Sequence, residues 1–378
     1  MSTKENYLLI YLKTGGGHLA PARSVANYLN SVYPDKIHPI LVNAFEEVGP
    51  ISRYLLEDGY RILQAKAQWY YEFLYLTNKL KPIGYWNRYL VHFHSEKYLE
   101  RMILEKKPSK IIVFHFFSYA PVYKILKKHK LDTTVLTVVT DPFTAHPLWF
   151  FRKDQNFIVF SESLRAKCIA MGIPENRVSA FPFILDQKFS TPVPKEEIPA
   201  LKQKHGFSPD EKLLLLLGGG DGLANAYPIL SKLYATGFSR PVAVVCGRNQ
   251  GLKAKLERMK AEKGLTNLHI FGYVDFVYDL INISDVVITK CGASTFMEIL
   301  HTQKVPIVVD YLWEQEKGNV EYIVNNNMGL YEKNTSKIPA LVHRLFDDEE
   351  WYQSFIRNIR QAQLENGTSA VSEYIANF

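Results

Sequence analysis

The sequence predicts an α/β chain built from two successive doubly wound, Rossmann-like domains. Three observations predict it. Short apolar runs alternate with amphipathic stretches along the chain. The alternation pauses at a proline-rich, charged segment and then restarts. A glycine-rich turn follows the first apolar run of each half. The 378 residues also suit two domains, because single hydrophobic cores stop growing near ~250–300 residues.

In the first half the runs at residues 7–12, 37–45, 110–117, 133–140 and 156–161 read as strands. They are short and almost continuously apolar, the pattern of a parallel sheet covered on both faces. Residues 186–211 are rich in Pro and charge, and read as a connection with one short helix. The rhythm then resumes at 212–220, 241–247, 267–274, 285–290 and 305–310. The tail from Asp347 to Phe378 reads as helical, with Trp351, Phe355, Ile356 and Ile359 on one face. The expected domains are therefore 1–190 and 191–355, with 356–378 a C-terminal helix packing back toward the first domain.

Composition narrows the class. The chain is 47% hydrophobic, yet no run approaches the ~18–20 apolar residues of a membrane span. The six-residue apolar stretch near the start reads as a strand and not as a signal peptide. Cys168, Cys246 and Cys291 are odd in number and widely spaced, so no disulfide framework or metal spacing is expected, and the chain reads as cytosolic. The net charge of +7 is uneven: residues 1–190 hold 25 Lys+Arg against 16 Asp+Glu, and the remainder holds 20 against 22. A basic first half implies nucleic acid or an anionic membrane surface, or else only a soluble basic surface. Residues 51–98 interrupt the rhythm with aromatics that include Trp69, Tyr70, Tyr71 and Trp86, beside Arg88. Basic and aromatic residues together suit a membrane interface; a helical insertion filling a core with its aromatics is the other reading.

The most informative stretch lies near the C-terminal end. An apolar strand runs into Cys291-Gly292-Ala293-Ser294-Thr295, and a helix then carries Glu298, expected in its first turn. A helix N-terminus offers unpaired N–H groups and a positive dipole end to a phosphate. After the next strand, which ends at Asp310, stand Glu314, Gln315, Glu316 and Asn319, acid and amide groups suited to sugar hydroxyls. The loop Gly218-Gly219-Gly220-Asp221-Gly222 follows the five-leucine run, at the strand edge where open α/β sheets bind ligands. Four glycines in five positions suggest close approach to a diphosphate.

The first half has its own glycine loop, Lys13-Thr14-Gly15-Gly16-Gly17-His18, before a helix expected over Pro21 to Asn30. It matches a dinucleotide fingerprint only loosely, the following strand ends at Asn43 where a ribose would want an acid, and no Walker lysine follows. His18 at the loop mouth could take a proton from a hydroxyl, or merely cap a helix. In the segment from Thr140 to Phe150, Asp141 ends a strand and His146 follows five residues on, so that Asp141 could orient a histidine or a hydroxyl. His115 reads as a core histidine. No cluster has metal-ligand spacing, which favours a metal-independent reaction.

Five segments in this order resemble the monogalactosyldiacylglycerol synthase and bacterial diacylglycerol glucosyltransferase family, itself related to the peptidoglycan lipid-intermediate N-acetylglucosaminyltransferase. They are Gly-Gly-Gly-His (15–18), Thr-Asp…His-Pro…Trp-Phe (140–150), Gly-Gly-Gly-Asp-Gly (218–222), Thr-Lys…Gly…Thr…Glu (289–298) and Asp-Tyr…Gln-Glu…Gly-Asn-Val (310–320). The resemblance runs from about residue 8 to 335. It implies a GT-B fold, with two Rossmann-like domains facing across a cleft, and inverting transfer of a hexose from a UDP-sugar to a lipid hydroxyl. Its implied partners are a UDP-hexose, a diacylglycerol-type lipid and an anionic membrane surface, and not nucleic acid. No cofactor or metal is expected, and the implied location is the cytoplasmic face of a membrane, held peripherally.

By motif, the resemblance puts Glu298 on the ribose and the backbone near Val274 on uracil. Backbone groups of Gly220 and of Gly292 to Thr295 would hold the diphosphate, while Gln315, Glu316 and Asn319 would contact sugar hydroxyls or organise the pocket. His18 would be the general base or an acceptor-side residue, with Asp141 assisting. Gly16, Gly17, His146 and the aromatics with Arg88 would lie on the acceptor and membrane side. Trp313-Glu314 stand where the family often has Pro-Gly, and the Cys-Gly-Ala-Ser turn is less glycine-rich than usual. Both departures touch the donor pocket and leave glucose and galactose open. Three rivals stay open as well: a polyprenyl-linked or other acceptor, a soluble sugar-nucleotide epimerase of similar fold, and a non-enzymatic nucleotide- or lipid-binding module.

Overall fold

The computed structural model describes residues 4–13, 16–47, 77 and 95–378. The aromatic segment expected at a membrane, with Trp69, Tyr70, Tyr71, Trp86 and Arg88, lies outside the described residues. The chain divides into two compact units, Met1–Gln187 with Asn366–Phe378, and Lys188–Glu365.

The first unit holds β1 (Glu5–Tyr11), β2 (Ile37–Asn43), β3 (Lys110–Val113), β4 (Thr134–Val138), β5 (Asn156–Val159) and β6 (Val178–Ala180). They form one parallel sheet in the order β2-β1-β3-β4-β5-β6. The chain starts at β1, steps one way to β2, then returns across β1 to β3. Right-handed crossovers in the two directions put helices on opposite faces. Both faces are therefore covered, and Tyr7, Leu8, Leu9 and Ile10 are all buried. Leu8 and Ile10 pack with Leu99, Ile103, Val122 and Ile125, while Trp149, Phe157, Leu164 and Cys168 form a second cluster.

The second unit repeats the plan with β7 (Leu214–Leu217), β8 (Val242–Val245), β9 (Leu268–Phe271), β10 (Val286–Lys290), β11 (Val305–Asp310) and β12 (Leu330–Tyr331), parallel in the order β12-β11-β10-β7-β8-β9. Each sheet thus has one topological switch point, between β1 and β3 and between β7 and β10. There the connections leave in opposite directions and open a crevice beyond the strands' carboxyl ends.

Each of the ten apolar runs contains a strand. β6 and β12 gave no such signal, because edge strands of three and two residues are too short for a period to show. The first helix is Gly16–Val32 and starts before Pro21, which stands inside it. Proline there forfeits one bond, to the Gly17 carbonyl, and Gly17 has open space around it. The tail forms two helices, Glu349–Gln361 and Thr368–Asn377, with Gln363 between them at a positive φ of 46°. Phe355 and Ile356 join the core of the second unit.

Helix Thr368–Asn377 belongs to the first unit. The Lys110 ammonium donates to the carbonyls of Ile375 and Ala376 at 2.9 and 2.7 Å, and Tyr28 donates to Glu373 at 2.8 Å. A cation on the last carbonyls also complements the helix dipole. Replacing Lys110 by Met should lower stability by about 1 kcal/mol in urea denaturation. It should also speed limited proteolysis within residues 366–378.

Candidate functional site

In the second unit the Gly218–Gly222 loop folds back beyond β7. Gly219 and Gly222 have φ of 77° and 72°, in the left-handed region. A Cβ on Gly218 would stand 2.3 Å from the Gly222 carbonyl group and the Leu223 nitrogen, and one on Gly222 would stand 2.7 Å from the Cys246 oxygen. The loop's own backbone packing requires Gly218 and Gly222. Gly220 faces Arg248, whose Nε donates to Asp221 Oδ1 at 3.3 Å.

Across the switch point, β10 leads to helix Ala293–His301. Its N-cap is Gly292, which makes no side-chain cap to the N–H groups of the first turn. Ala293, Ser294 and Thr295 form that turn. Glu298 is the sixth residue of the helix and sits in its second turn, not the first, because the helix begins immediately after Gly292. Helical spacing places it on the face of Ser294, four residues earlier.

Two buried polar atoms here lack partners among the described residues: Ser294 Oγ and Asn319 Oδ1. Asn319 is 1% exposed, and its amide nitrogen donates to the Cys291 carbonyl at 2.9 Å. Glu316 Oε2 accepts the Leu312 N–H at 2.6 Å, while Oε1 lies 3.6 Å from where a Cβ on Gly292 would stand. Gln315 is half-buried on the same helix, and Val274 is half-buried beyond the carboxyl end of β9. Unsatisfied buried acceptors are costly, and a ligand hydroxyl would satisfy them.

In the first unit, His18 lies in the first turn of helix Gly16–Val32. Its Nδ1 is 2.8 Å from Thr140 Oγ1, and its ring centroid is 4.5 Å from that of His115, edge to face. His115 follows β3 and caps helix Phe116–His129, its Nδ1 accepting the Phe117 N–H at 3.1 Å. Asp141 Oδ2 accepts the indole N–H of buried Trp149 at 3.0 Å. His146 Nδ1 accepts the Leu148 N–H at 3.0 Å and caps a short 3-10 turn. The hydrogen bonds thus set Thr140 beside His18 and Trp149 on Asp141. Gly16 opens the helix, and a Cβ on Gly17 would meet nothing within 4 Å.

Burial pushes His18 down to about 4, opposed by a hydrogen bond to the Phe114 backbone. Burial, then the neighbouring His18, hold His115 well below the ordinary histidine range. Both rings are therefore neutral near pH 7, the form that can accept a proton. Sequence patterns left Thr140 and Trp149 without roles and set His115 aside as core. Their signals are membership of the 140–150 motif, for Thr140 and Trp149, and a position beyond the carboxyl end of β3, for His115. Among the described residues no His, Cys, Asp and Glu group could hold a metal ion. No described helix is long and apolar enough to cross a membrane.

Residues 18–182 match the family model described as monogalactosyldiacylglycerol (MGDG) synthase, and residues 224–367 match that of the glycosyltransferase family 28 C-terminal domain. The chain is 27% identical over 341 residues to monogalactosyldiacylglycerol synthase 2 of Arabidopsis thaliana, covering 87% of this chain and 71% of that protein. It is 26% identical over 337 residues to the Spinacia oleracea synthase, covering 86% of this chain but only 63% of that protein. Acinetobacter baumannii MurG shares the fold at a TM-score of 0.63 and 14% identity, over 100% of both chains. Medicago truncatula UGT71G1, solved with UDP-glucose, aligns at 0.61 and 13% identity, over 98% of this chain and 96% of that one.

The protein is thus a glycosyltransferase of GT-B fold. Within that class it is related to the monogalactosyldiacylglycerol synthases, whose family model covers most of its first unit.

The fold depends on these glycines to different degrees. Gly222→Ala should cost about 2–4 kcal/mol in chemical denaturation, because it adds both strain and overlap. Gly17→Ala should shift stability by no more than about 0.5 kcal/mol while glycosyl transfer falls. The histidine gives a pH signature. His18 titrates near 6.5 when unfolded and about 4 when folded, so folding favours its neutral form. That contribution is complete above pH 6.5 and is lost as pH falls toward 4. In urea titrations across this window, His18→Gln should lose less stability than the wild type.

Proposed function

We propose that the protein transfers a hexose from a UDP-sugar to a hydroxyl of a diacylglycerol-type lipid, with inversion at the anomeric carbon. The observation that carries the reading is the pair of switch points. One holds a neutral, half-buried His18 in the part matched to MGDG synthase. The other holds a helix N-terminus with unsatisfied Ser294 and Asn319 beside it.

On this reading the acceptor hydroxyl oxygen attacks the anomeric carbon while His18 takes its proton. The bond from that carbon to the diphosphate oxygen breaks, and UDP leaves with the electron pair. The N–H groups from Gly292 to Thr295 stabilise the developing charge. A single displacement inverts the centre. Asn319 Oδ1, Glu316 Oε1 and Gln315 receive sugar hydroxyls, Glu298 the ribose, and the backbone near Val274 the base. Asp141, fixed by Trp149, supports the acceptor side with Gly16, Gly17 and His146. The basic first half, together with residues 51–98, suits a peripheral position on an anionic membrane surface.

The test is a product assay with diacylglycerol in mixed micelles and UDP-glucose or UDP-galactose, read by mass spectrometry. A hexose increment on the lipid with one donor is expected. His18→Ala should reduce its rate roughly 10²–10⁴-fold, the usual range for a lost general base. UDP binding without any lipid product would remove the diacylglycerol acceptor from the reading.

A further inference from the structure

Lys290 closes β10, directly at the switch point of the second sheet, and the motifs assigned it no task. Its position is irregular. Thr289 pairs with Val308, but Lys290 pairs with Asp310, so β11 carries one extra residue at that step. Such bulges re-aim side chains and are common beside sites. The Lys290 Cε stands 3.9 Å from where a Cβ on Gly219 would be, and 3.8 Å from the one on Gly292. Its stem therefore passes between two turns that lack side chains, the glycine loop after β7 and the N-cap of helix Ala293–His301.

Lys290 is half-buried, and among the described residues its ammonium makes no ion pair or hydrogen bond. The charged groups nearby each hold a bond of their own. Arg248 pairs with Asp221, Asp310 Oδ1 accepts the Tyr311 N–H, and Glu316 Oε2 accepts that of Leu312. A partly desolvated cation without a partner, over two bare turns and beside an uncapped helix N-terminus, matches a multiply charged anion.

We infer that Lys290 binds the diphosphate of the donor and takes up the negative charge that grows on it as the sugar leaves. The inference rests on the donor reading above and adds the residue that supplies a full positive charge there. Lys290 keeps its proton throughout: the acceptor proton goes to His18, and the breaking bond's electron pair goes to the diphosphate oxygen. Backbone N–H groups carry only the partial charge of the helix end. A lysine at this point holds the diphosphate already in the bound donor, and the part of its attraction that grows as charge develops is the part that raises kcat.

The experiment uses the full chain as wild type, Lys290→Gln and Lys290→Arg. UDP and uridine are titrated by calorimetry and ligand-observed NMR, with Tm as a check on folding. Lys290→Gln should weaken UDP about 10-fold or more and leave uridine and Tm unchanged. It should lower kcat with the UDP-sugar by about 10²-fold, and Lys290→Arg should restore most of both losses. The salt dependence of UDP affinity should become shallower in Lys290→Gln. Unchanged UDP affinity in a folded Lys290→Gln overturns the inference and leaves the donor reading intact. So does an equal loss for UDP and uridine, which would mean that the lysine only shapes the pocket. Failure of the wild type to bind UDP would overturn the donor reading and the role of Lys290 with it.

Discussion

The reversal of strand order in each parallel sheet is the constraint on which the rest depends. A chain that begins at a central strand and builds outward on both sides must send consecutive connections over opposite faces. The two loops at the reversal cannot pack on each other, and their carboxyl-end turns are left to face an opening. In one unit that opening receives the His18 turn and His115. In the other it receives the Gly218–Gly222 loop, Lys290 and the N-terminus of helix Ala293–His301.

The two openings are furnished differently, and the difference is electrostatic. The first is aromatic and neutral: His18 and His115 stack edge to face, with Phe116 and Trp149 nearby, and desolvation keeps both imidazoles uncharged. A low-dielectric pocket of this kind suits proton transfer from an apolar alcohol. The second is polar and incompletely satisfied, with Ser294 and Asn319 holding buried oxygens that find no partner within the described residues. Native structures tolerate such atoms mainly where function repays the cost.

Rigidity comes from the chain's own backbone at these turns. Gly218 and Gly222 lock the glycine loop against Leu223 and Cys246, and the Asn319 amide ties helix Trp313–Asn325 to the Cys291 carbonyl. Asp141 and His146 act similarly in the first unit, one holding the Trp149 indole and the other a backbone N–H. Several motif residues therefore also build the frame of these turns.

The sequence by itself determined the class of fold. Continuous apolar runs such as Leu213–Leu217 and Val286–Ile288 can be buried only in strands covered on both faces, and their alternation with helices requires parallel sheets. It also determined where the glycine turns, His18 and Asn319 fall along the chain. Tertiary structure alone decided what those residues meet. Strand order put Lys290 between Gly219 and Gly292, 71 residues from the first of them, and put His115 and Thr140 against His18. Edge strands β6 and β12, the start of helix Ala293–His301 and the second-turn position of Glu298 were equally invisible beforehand. The physical reason is common to all of these. Periodicity is a local property of a segment, whereas hydrogen-bond partners, desolvation and bulges arise only when distant segments pack.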